Sequence, residues 1–163
     1  MSHSKIFQIS NKPIDKEDYQ SPETYYDNSG DFADYIGDEY EDEDRDEAIG
    51  YLADLLKDVF EHKGGGEFRY KGSEAMEKFN LAWADDLRRQ AGLLTPENLF
   101  KNQNLYLICA TCKETHLRTS YRVDIADWAE GVAYPFGELF EYAANKLKKN
   151  NRIYVGAVID YHY

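Results

Sequence analysis

The stretch RIYVGAVIDYHY (152–163) does most to limit what this chain can fold into. Ile153, Val155, Ala157 and Ile159 recur at period two, so an extended strand carries all four on one face. A strand this apolar is docked in a sheet, where its backbone polar groups find partners and its face is covered. KIFQIS (5–10) supplies another strand, with Phe7 and Ile9 opposed to Ile6, Gln8 and Ser10, and Pro13 ends it.

Between these strands the period changes to helical. From Arg45 onward, Ile49, Leu52, Leu56 and Val59 lie on one face, broadened by Leu55 and Phe60. KGGG (63–66) is expected to stop this helix and EFRYK (67–71) to form a short strand. Ser73 opens a second helix in which Met76, Phe79, Trp83 and Leu87 share a face, with Gly92 at its end. NLYLICA (104–110) reads as a buried strand and LRTSYRVDI (117–125) as its hairpin partner. Pro135 opens the last helix, with Phe136, Phe140, Ala143 and Leu147 facing the core. The elements do not alternate strictly as strand and helix, so the expected class is α+β. The expected architecture is a single domain over 1–163: a mostly antiparallel sheet of about five strands packed with three main helices.

Residues 15–47 stand apart as an acidic, tyrosine-rich, loop-like segment, with a short helix expected near Phe32 to Ile36. Carboxylates crowd around Tyr19, Tyr25, Tyr26, Tyr35 and Tyr40. Such rings either anchor a long loop onto the domain or present a rigid contact face to another protein. The chain as a whole carries 31 acidic against 19 basic residues, a net charge of −12. That balance repels phosphate backbones, so direct nucleic-acid binding is not expected, and a basic protein partner is. Asp42, Asp44 and Asp46 match the first carboxylate positions of a calcium loop, but the glycine and the closing glutamate that loop requires are missing.

MSHSKIFQISNKP at the start lacks the apolar core of a secretory signal, and no run of 18 apolar residues occurs. With only two cysteines, the expectation is a cytoplasmic protein that does not enter a membrane.

Those cysteines lie in CATCKETH (109–116). Cys109, Cys112 and His116 could give zinc three ligands, but a structural zinc site normally has a second Cys or His pair. On one continuous strand the two cysteines would point to opposite faces, with Cα atoms roughly 10 Å apart, too far for a disulfide. Thr111 and Glu114 together fit a capping box that would start a helix at Cys112, the arrangement of a thiol-redox strand and helix. Core cysteines without a cofactor are the expectation; a zinc or thiol-redox centre on Cys109, Cys112 and His116 is the alternative. His116, Ser120 and Asp124 share strand parity but lack the sharp turn of a nucleophile site.

The functional expectation is a non-catalytic acidic binding protein that engages a basic partner through Tyr35, Tyr40, Asp42, Asp44 and Asp46. Its charge logic is that of inhibitor and immunity proteins, or of mimics of the DNA phosphate surface. The metal or thiol protein is one alternative, and a structural or regulatory subunit with an apolar helix interface is another.

Overall fold

The computed structural model describes residues 2–30, 32–99, 120–129 and 131–163. Its elements in chain order begin with β1 (His3–Ser10), two 3-10 helices (Lys16–Asp18 and Pro22–Asn28), β2 (Tyr35–Glu39) and α1 (Asp42–Leu56). They continue with β3 (Phe60–Gly64), β4 (Glu67–Tyr70), α2 (Ser73–Gly92) and β5 (Arg122–Ile125). β6 (Tyr134–Pro135), α3 (Glu138–Lys146) and β7 (Arg152–His162) complete the set.

The class is α+β, built on one seven-stranded sheet in the order β3-β4-β7-β1-β5-β6, with β2 also on β7. The sheet is mixed: β1 and β5 run parallel, while the other pairs are antiparallel. Four of the five strands read from the sequence are β1, β4, β5 and β7; the fifth, 104–110, lies outside the described residues, and β2, β3 and β6 come in addition from segments without a strong alternating pattern. β7 is the central strand. β1 pairs along one of its edges from His162 to Tyr154, and β4 and β2 share the other, at Arg152–Tyr154 and Ile159–His162.

β7 does not keep one face throughout, as its alternation suggested. The register slips between Phe7 and Ile9 of β1: Phe7 stands opposite Val158 and Ile9 opposite Val155. Gly156 and Ala157 thus oppose the single residue Gln8, a β-bulge, and the extra residue reverses the side-chain phase. Ile153, Val155 and Val158 join the larger core with Phe7 and Ile9, while Ala157, Ile159 and Tyr161 join a second core with Ile6. The bulge is held from within the sheet. The buried Gln8 accepts from the amides of Ala157 at 3.0 Å and Gln20 at 3.1 Å, and its own amide donates to the Asp18 carbonyl at 3.1 Å. A Cβ at residue 156 would lie 2.4 Å from the Gln8 side-chain oxygen, so glycine is needed there.

α1 and α3 cover the larger core, with Ile49, Leu52 and Leu56 from α1 and Leu139, Phe140 and Ala143 from α3. The opposite face, to which β2 adds Ile36 beside Tyr161, is covered by Tyr25 of the second 3-10 helix.

The segment 15–47 is more structured than a loop. It holds both 3-10 helices, β2 and the first turns of α1; Ile36 lies in a strand, not in a helix. α1 starts at Asp42, three residues earlier than the apolar period, because acidic residues in its first turn face the positive end of the helix dipole. The glycines at 64–66 do not end the helix, which stops at Leu56; they turn the β3–β4 hairpin. Gly64 and Gly65 take φ of 109° and 50°, a region that favours residues without a Cβ. Pro135 belongs to β6, and α3 begins at Glu138.

Candidate functional site

The junction of β2 and α1 projects an acidic ridge. Asp38, Glu39, Glu41, Asp42, Glu43, Asp44, Asp46 and Glu47 are all exposed. The one basic residue among them, Arg45, turns inward, with its side chain 12% exposed. Its Nε donates to the Gly156 carbonyl at 2.8 Å and a terminal nitrogen donates to the Val155 carbonyl at 2.7 Å. These carbonyls lie where neither β4 nor β2 pairs with β7, so the guanidinium completes the strand edge. Its planar face also sits over the Tyr19 ring, 5.2 Å from the centroid. Two of its nitrogens serve the strand edge and the third lies 3.7 Å from Asp46, so the outer surface of the ridge consists mainly of carboxylates.

A groove of about 610 Å³ separates this ridge from the first 3-10 helix. Lys16 reaches across it to Asp42 at 2.9 Å, with both side chains solvated. The Lys16 hydrogen bond holds the Asp42 carboxyl below its usual range, and Asp42 raises the Lys16 ammonium in turn. Solvated carboxylates so arranged offer salt-sensitive contacts to guanidinium and ammonium groups.

The tyrosines of 15–47 divide by role. Tyr25 is fully buried and donates its hydroxyl to Asp124 at 2.8 Å, which pins the second 3-10 helix to β5. Tyr19 packs beside the second core and Tyr40 beside the larger one. Tyr26 and Tyr35 are 54% and 60% exposed, so these two rings are open to a partner. Among the five predicted contact residues, the structure thus places Tyr35, Asp42, Asp44 and Asp46 on the surface and half-buries Tyr40.

Tyr40 also borders a cluster that sequence reasoning passed over. His3 of β1 stands directly opposite His162 of β7, and Lys5 opposite Asp160. Asp160 and His162 are two apart on the strand and share a face. One Asp160 oxygen lies 3.0 Å from Nδ1 of His3 and 3.2 Å from Nε2 of His162, and the Tyr40 hydroxyl is 3.5 Å from the other oxygen. Burial and the Asp160 charge push the Tyr40 phenol up from its ordinary range. The side chains of Asp160 and His162 are only 15% and 18% exposed, whereas His3 is 62% exposed. The available signal was the pair of residues at 160 and 162 in a strand with an opposite number at position 3, but strand pairing over that separation is not written locally.

Cys109, Cys112 and His116 lie outside the described residues. Of the three residues sharing strand parity, His116 lies outside the described residues, Ser120 hydrogen-bonds to Ser4 at 2.7 Å and Asp124 is buried against Tyr25. His62 stacks on Phe68 in the hairpin, away from the other histidines described. Among the described residues no helix is long and apolar enough to cross a membrane. Comparisons with protein-family models, with curated proteins and with solved structures find no match for this chain.

Proposed function

We propose that this chain is a non-catalytic acidic binding protein whose β2–α1 ridge engages a basic protein partner. One observation carries the reading: eight exposed carboxylates within residues 38–47, with the only cation among them, Arg45, turned onto the strand edge. Such a surface speeds encounter with a basic protein and rejects phosphate backbones. Tyr35 adds an exposed ring at the start of β2, the type of large, rigid side chain that concentrates binding energy. By charge alone this is the logic of inhibitors that mask a basic active site.

The test uses partners captured on the immobilised chain, measured kinetically against increasing salt. The triple variant Asp42→Asn, Asp44→Asn, Asp46→Asn is expected to slow association by roughly tenfold and to flatten its salt dependence. A control variant with three substitutions on α2, Glu74→Gln, Glu77→Gln and Asp85→Asn, makes the same charge change elsewhere and is expected to behave as the wild type. Equal loss in both variants, or loss in neither, would sink the ridge as the binding surface.

A further inference from the structure

The geometry points to a zinc-class metal site formed by Nδ1 of His3, a carboxylate oxygen of Asp160 and Nε2 of His162. This goes beyond the acidic-ridge reading, and its three ligands lie outside the ridge carboxylates.

One ligand atom from each of the three residues lies within 4.8 Å of the other two. Two of the three separations, 3.0 and 3.2 Å, already approach the spacing of ligands around a tetrahedral ion. Bonds of about 2.0–2.2 Å to such an ion set its ligands roughly 3.3–3.6 Å apart. The strands, not flexible loops, fix the arrangement: His3 and His162 are register partners, and Asp160 is held on the same face by the pleat. The bulge at Gly156 is part of the device. It lets Phe7 and Val158 face the larger core together with Ile9 and Val155, and so keeps His3, Asp160 and His162 on that face at the end of the sheet.

The surroundings suit a cation. A Cβ at residue 37 would fall 2.8 Å from the same Asp160 oxygen that both imidazoles approach, so Gly37 keeps that oxygen accessible. Tyr40 stands by the other oxygen as an outer partner able to orient the carboxylate. Lys5, opposite Asp160 in the register, is the competing cation. Its ammonium instead lies over the rings of Tyr40 and Tyr121, 5.5 and 5.6 Å from their centroids. Tyr35 packs edge-on against His162, with ring centroids 5.5 Å apart, and limits the orientations that ring can take.

Two imidazoles and one carboxylate leave a fourth position, and the exposed His3 puts it on the solvent side. Imidazole nitrogens favour zinc over the hard cations, and zinc stands above manganese and iron(II) in affinity for such a set. On binding, each imidazole presents a lone pair at the ligating nitrogen, its proton moving to the other ring nitrogen or to solvent.

The experiment is calorimetric titration of zinc chloride into the full chain with any affinity tag removed, followed by the cobalt(II) absorption spectrum. One zinc per chain is expected. Outer-shell substitutions at such sites cost about 10–100-fold in affinity, so losing a ligand in Asp160→Asn or His162→Gln is expected to cost at least that. His3→Gln, at an exposed position, serves as the variant whose fold is not at risk, with thermal unfolding as the check. A Cys109→Ser, Cys112→Ser double variant is expected to keep the zinc, and the cobalt form to lack the thiolate charge-transfer band. No zinc on the wild type, zinc retained in all three ligand variants, or zinc lost only in the cysteine variant would overturn the assignment.

Discussion

Nε of Arg45 lies 2.8 Å from the carbonyl oxygen of Gly156, so the only cation in the acidic ridge closes a gap in the edge of the central strand. Charge segregation on the surface and completion of the sheet therefore follow from one side chain. Removing it costs stability first. Arg45→Ala loses two charge-assisted hydrogen bonds from a largely buried position and is expected to destabilise by about 3 kcal/mol. Arg45→Lys keeps the charge but not the planar fork, so it is expected to recover only about half of that. Urea unfolding at neutral pH decides it, and equal stability of all three proteins would contradict the account.

Gly156→Ala tests the bulge. The added methyl would lie 2.4 Å from the Gln8 oxygen and 2.9 Å from the Ile14 Cδ1. Gln8 is the end of a movable side chain, so it would swing away and give up its hydrogen bonds to Ala157, Gln20 and Asp18. The expected loss is about 2–3 kcal/mol. Because the clash and the lost bonds are one event, Gly156→Ala combined with Gln8→Ala should cost clearly less than the two single substitutions added together. Strict additivity in a denaturant-based double-mutant cycle would show that Gln8 does not hold the bulge.

That bulge also marks where local pattern stops informing. The apolar runs of β1 and β7 and the central parts of the α1 and α3 stripes could be read directly, since period and burial are local properties; the helix ends could not, and Val59, Phe60, Phe136 and Leu147 lie outside the helices. The reversal of side-chain phase at Gly156 could not, because it depends on the single residue Gln8 opposing two residues nearly 150 positions later. The KGGG glycines read as a helix stop when the same permissive backbone serves a hairpin turn; nothing local separates the two uses. The ridge carboxylates were legible as charge. The inward turn of Arg45 was not, since its carbonyl partners lie on β7. His3, Asp160 and His162 were missed for the same reason: the β1–β7 register brings them together, and neither terminal segment shows that register alone.

Alkaline pH should loosen the fold through Tyr25. Burial first, and the neighbouring Asp124 charge second, raise its phenol far above the ordinary value of 10.0. A folded-state value above the unfolded one means stability that is intact below about pH 10 and is lost as pH rises beyond it. In that range the unfolded chain gives up the proton and the folded chain keeps it. The expected loss from Tyr25 is about 1.4 kcal/mol per pH unit above 10. Tyr142, raised by burial and by its hydrogen bond to Asp127, acts in the same direction. Tyr25→Phe should cost about 1.5–3 kcal/mol at pH 8, from the lost hydrogen bond to a buried carboxylate, and should have a shallower alkaline slope. Parallel slopes for wild type and variant between pH 9 and 11 would assign the alkaline loss to other groups.

Lys16→Ala should separate the two kinds of charge contact in this protein. Lys16 and Asp42 are 2.9 Å apart, yet their side chains are 73% and 81% exposed, so solvent and salt screen the pair. Holding two long side chains together also costs conformational freedom, and exposed pairs contribute little on balance. The unfolding midpoint of Lys16→Ala should therefore match that of the wild type within error, unlike that of Arg45→Ala. Association is a different matter. Lys16 is the cation facing the ridge across the groove, and its loss leaves Asp42 unpaired and the local field more negative. Against a basic partner the on-rate of Lys16→Ala should rise by roughly twofold at low salt and converge with the wild type as salt is added. A slower on-rate at low salt would mean that Lys16 contacts the partner itself, and the basic-partner reading of the ridge would then fail.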